Sequence, residues 1–72
     1  MDEAVVKLRT NFMKRAVQRV RDMVAHGRVE EALTALQEVR RYFEWVREGI
    51  SPEERGPIFE QIRALPGIIK AR

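Results

Sequence analysis

Apolar residues recur along most of this chain at steps of three and four, the period of amphipathic helices rather than of strands. The first series runs through Val5, Leu8, Phe12, Ala16, Val20 and Met23, and Val6, Met13, Val17 and Val24 widen it along one side. Asp2 and Glu3 stand where acids favour a helix N-terminus, so one helix is predicted over residues 2–26. Its apolar stripe spans about half the helical wheel, wider than a two-helix seam requires. Phe12 and Met23, Val6 and Val17, and Met13 and Val24 are eleven residues apart, a spacing that keeps helices nearly straight. A stripe of this width predicts more than one neighbour.

Gly27 follows directly, the residue expected at a left-handed C-terminal cap. The pattern resumes at once with Val29, Ala32, Leu36, Val39, Phe43, Val46 and Ile50, an unbroken a/d series. A second helix over residues 29–48, ending near Gly49, follows, and the short connection makes the two antiparallel. Ser51-Pro52-Glu53-Glu54 reads as another helix start: serine as cap, proline at the first position and Glu54 closing a capping box. Gly56-Pro57 arrives one turn later, and proline inside a helix removes a hydrogen bond and clashes with the turn before it. The sequence therefore predicts a break, a short third helix over residues 57–65, and a tail over 66–72 after Pro66-Gly67. The expected fold is all-α: a two-helix antiparallel hairpin plus a short third helix, in one domain.

Size then adds a constraint. The chain has 72 residues and no cysteine, and a core this small supplies only about 3–5 kcal/mol without disulfides, metals or association. Association is the remedy left open, so a homodimer is expected, two hairpins forming a four-helix bundle. No stretch of about 18 apolar residues exists to span a membrane. Met1-Asp2-Glu3 leads into an amphipathic pattern rather than an apolar block, which predicts a cytoplasmic protein without a signal peptide.

Candidate chemistry is sparse. One histidine, one serine and two threonines give no nucleophile a base beside it. Ser51 is accounted for as a cap, and His26 as a cation at a helix C-terminus. Adjacent acids occur only as Asp2-Glu3, Glu30-Glu31 and Glu53-Glu54, all in first turns, and no phosphate loop or metal motif is present. No enzyme, cofactor, metal or small-molecule substrate is expected. A helix-turn-helix reader of DNA is also excluded, because its helices are short and cross steeply.

Charge and one aromatic residue point to binding instead. Residues 1–28 hold seven Lys/Arg against three acids, a balance of +4, whereas residues 29–72 hold seven against eight, a balance of −1. Lys7, Lys14 and Arg21 fall seven apart on one strip, with Arg15 and Arg19 on the other edge of the apolar stripe and Arg9 within it. Such a face is either the wet side of an amphipathic helix or a sequence-indifferent contact to a phosphate backbone. Trp45 lies off the a/d stripe among Thr34, Glu38, Arg41 and Glu48, where Arg41 is placed to lie over the indole. Either the third helix covers it through Phe59 or Ile62, or a second copy does, or Arg41 and Trp45 centre a surface for a protein partner. The leading expectation is a self-associating interaction module, an adaptor or small regulator. The alternative is an accessory nucleic-acid-binding protein using Lys7, Lys14, Arg15, Arg19 and Arg21.

Overall fold

A computed structural model describes residues 2–71. It contains three α-helices: α1 (Glu3–Ala25), α2 (Val29–Val46) and α3 (Pro52–Lys70), with a 3-10 turn, Arg47–Gly49, closing α2. Each helix packs against the other two, and the molecule measures 40 × 16 × 16 Å, close to one helix in length. No strand occurs among the described residues.

Local chemistry sets the start of α1 and the turn that follows it, while Arg28 at the start of α2 makes no side-chain capping bond. Asp2 caps α1, its carboxylate accepting from the Ala4 N–H at 3.0 Å. Gly27 adopts φ 76°, its N–H reaching the Val24 carbonyl while the Arg28 N–H reaches the Met23 carbonyl. Those two bonds form a Schellman turn, and the chain reverses into α2 within it.

The third helix departs from expectation. It is not a short segment over residues 57–65 followed by a tail, but 19 residues running through both Pro57 and Pro66. Ile58, Ile62, Leu65 and Ile69 are all buried at steps of four, three and four, so one continuous face meets the core. Most helical stability in proteins comes from packing such a face, and here it outweighs two lost backbone bonds. Gly56 helps locally, since the clash between a proline ring and the residue before it falls largely on a Cβ that glycine lacks. Of the expected tail, residues 66–70 are helical, and Arg72 lies outside the described residues.

The start of α3 also differs in detail. Glu54 does not close a capping box on Ser51; it forms an ion pair with Lys14 of α1. The Ser51 N–H instead donates to Oγ1 of Thr10 at 3.0 Å, and the Thr10 hydroxyl donates to the Val6 carbonyl at 2.8 Å. Thr10 is 4% exposed, a buried hydroxyl with both roles satisfied, as burial demands. Thr10 to Ser51 and Lys14 to Glu54 step upward together, so α3 runs parallel to α1. The core between the helices is Met13, Val17, Val20 and Val24 from α1, Ala32, Leu36, Val39 and Phe43 from α2, and the α3 face, with Ile50 at the corner.

Candidate functional site

With α3 on one side of the α1–α2 pair, the opposite side of that pair is left open. Helical spacing sets what lines it. On α1, Leu8 and Arg15 share one outward strip, and Phe12 and Arg19 share the strip beside it, since residues seven apart nearly eclipse. On α2, Trp45 and Glu38 are likewise seven apart, and Tyr42 and Ala35 form the inner strip.

Phe12 and Tyr42 meet across the helix pair with ring centroids 4.8 Å apart and planes inclined at 52°, a tilted geometry favoured by ring quadrupoles. Toward the Gly27 turn the two walls part into a groove of about 440 Å³, floored by Ala16, Ala35 and Val39 and edged by Arg15, Arg19 and Glu38. Its rim residues are exposed, so the groove is shaped for a ridge of side chains rather than for an enclosed small molecule.

The apolar content of this face is high for a surface. Trp45 is 84% exposed, Leu8 65% and Phe12 48%. The third helix does not cover Trp45, because its buried face is spent on the other side of the bundle. Arg41 is exposed beside it. Phe59 is 46% exposed and lies against Phe43 with centroids 6.0 Å apart, away from Trp45. Ile62 is 5% exposed and belongs to the core, so of the four residues expected at a protein-binding surface only Arg41 and Trp45 share one face.

The basic residues divide between two places. Arg15 and Arg19 edge the α1–α2 groove. Lys14 is turned to Glu54 of α3, and Arg21 is half-buried with an Nε that has no hydrogen-bond partner. Lys7, on the same strip as these two, is exposed. The strip Lys7–Lys14–Arg21 is therefore the α1–α3 seam, not the free side of α1. Arg9, inside the apolar stripe, folds over the buried Gly49, where its guanidinium occupies the space a Cβ would need.

Electrostatically the groove has one wall of each sign. Arg15 and Arg19 stand on α1 and Glu38 on α2, and none of the three makes a side-chain hydrogen bond or ion pair with another described residue. Several other charges pair locally: Arg28 with Glu31, Arg47 with Glu44 and Glu48, and Arg63 with Glu60. His26 places Nδ1 2.7 Å from the Asp22 carbonyl, which assigns the donating hydrogen to that nitrogen and fixes the ring at the end of α1.

Phe12 and Tyr42 were not marked out by the sequence as site residues. Phe12 reads as one more member of the α1 stripe, and Tyr42 as a neighbour of Phe43. The usable signal was the excess width of the α1 stripe, of which Leu8 and Phe12 form the uncovered margin. No match to this chain is found among protein-family models, curated proteins or solved structures.

Proposed function

We propose that this protein is a non-enzymatic helical interaction module, an adaptor or small regulator whose docking face is the open side of the α1–α2 pair. The observation that carries this reading is Trp45, a tryptophan 84% exposed on a folded domain whose core is otherwise closed. Tryptophan and tyrosine dominate interface energetics because they bury a large, rigid area at small entropic cost. Leu8, Phe12 and Tyr42 extend that surface into one apolar patch with charges at its edge, the arrangement of an interface core and its rim.

Replacing Trp45 with alanine removes mainly exposed area, so that variant keeps its helical circular dichroism and unfolds within about 0.5 kcal/mol of the parent, whereas Phe12→Ala also gives up the tilted contact with Tyr42 and costs about 0.5–1.5 kcal/mol more. Both lose the proteins that the parent chain retains from extracts of its native cells. Variants that retain the same proteins as the parent would overturn the assignment of this face.

A further inference from the structure

We infer that the occupant of the α1–α2 face is a second copy of this chain, related by a two-fold axis parallel to the helices. This rests on the docking face proposed above and deepens it by naming what docks. A closed two-fold interface must be self-complementary, each residue meeting its counterpart's partner. The face meets that condition in the heights of its apolar residues and in charge.

The Phe12–Tyr42 contact fixes the height at which α1 and α2 stand beside each other: residues whose numbers sum to about 54 are level. Rotation about an axis parallel to the helices lays α1 of one copy against α2 of the other with heights unchanged. Leu8 then meets Trp45 of the second copy, and Phe12 meets its Tyr42, so the most exposed apolar residues of each copy cover one another. Glu38 is level with Ala16 and enters between Arg15 and Arg19 of the opposite chain. These are the three groove charges that make no side-chain hydrogen bond or ion pair among the described residues of one chain. Both sides of the axis repeat the cluster.

The other face-to-face two-fold, with its axis across the helices at the level of the groove, would set α1 on α1 and bring Arg15 and Arg19 toward their own copies, a like-charge arrangement that opposes association. The long side of the bundle, 40 × 16 Å, is of the order needed for a standard interface of about 800 Å² per partner. Paired this way, the two α1–α2 layers form a four-helix core with α3 on each outer side.

The test is solution mass by light scattering across concentrations into the sub-millimolar range, with circular dichroism as a check on folding. Arg15, Arg19 and Glu38 are exposed, so their reversal spares the fold. The parent chain is expected at twice its 8.5 kDa mass. R15E/R19E alone sets acid against acid, and E38R alone sets base against base; each raises the dissociation constant by at least about tenfold. An equimolar mixture of the two restores the dimer, because every contact is again between opposite charges. A parent that stays monomeric, variants that dimerise like the parent, or a mixture that stays dissociated overturns the inference. A monomeric parent that still loses its captured proteins on W45A refutes the second copy as occupant while leaving the docking face standing. Monomeric mass together with capture indifferent to Trp45 refutes both.

Discussion

Thr10 concentrates the largest consequence in one side chain. Its hydroxyl accepts from the Ser51 N–H, with no other acceptor for that group among the described residues, so it ties the corner between α2 and α3 to the first helix. Thr10→Val keeps the shape and removes both bonds, leaving a part-buried N–H unsatisfied. The expected loss is about 1–3 kcal/mol in urea unfolding, whereas Thr10→Ser retains the hydroxyl and costs less. A loss for valine no greater than for serine would show that the bond carries no weight. One residue further, the Ser51 hydroxyl donates to Glu53, and with a backbone hydrogen bond this holds the Glu53 carboxyl below its ordinary value despite slight desolvation. A carboxyl depressed in the folded state contributes stability above its unfolded pKa and loses it as pH falls through the folded value. The contribution therefore disappears in the acid range, and neutral solutions retain it. Ser51→Ala is expected to return Glu53 toward ordinary titration in a carbon-detected NMR pH series. An unchanged Glu53 midpoint would assign the shift to the backbone bond alone.

At the scale of elements, local signals and packing agree for two helices and conflict for the third. Residues 2–26 and 29–48 were legible because caps, glycine and periodicity all point the same way there. In α3 the rule that proline breaks a helix is a local rule, and the buried stripe Ile58–Ile62–Leu65–Ile69 is a tertiary fact. The same spacing was visible in the sequence, but its value depends on a groove between α1 and α2 that only the folded chain supplies. This conflict predicts where stability has been left unrealised. Gly67 has nothing within 4 Å of the position its Cβ would take, so Gly67→Ala should stabilise by about 0.5–1 kcal/mol. Gly56 is equally open to other parts of the chain, yet an alanine there would meet the ring of Pro57. Gly56→Ala is therefore expected to gain little alone and more in a Pro57→Ala background, a coupling readable in a double-mutant cycle. Additivity of the two substitutions would mean that the glycine is not relieving the proline.

At the scale of the whole molecule, the length of α3 decides what surface remains. A short third helix would have left much of the α1–α2 pair uncovered, whereas the expectation of two paired hairpins came from the small size of the core. The full-length helix closes one side and leaves the other, which is why Trp45 was legible as an anomaly while Phe12 and Tyr42 were not: the covered half of a wide stripe is set by the neighbour. Folding and association are then linked but not identical. Leu65 is completely buried, and Leu65→Ala removes about 2–5 kcal/mol from a core worth only about 3–5 kcal/mol. As a lone chain this variant is expected near its unfolding midpoint at room temperature. If folded copies pair through the open face, mass action favours the folded state as concentration rises. Helicity of Leu65→Ala should then increase between dilute and concentrated samples, and the same substitution combined with R15E/R19E should lose that dependence. Concentration-independent circular dichroism in both would mean that three helices alone hold this fold, with nothing contributed by the open face.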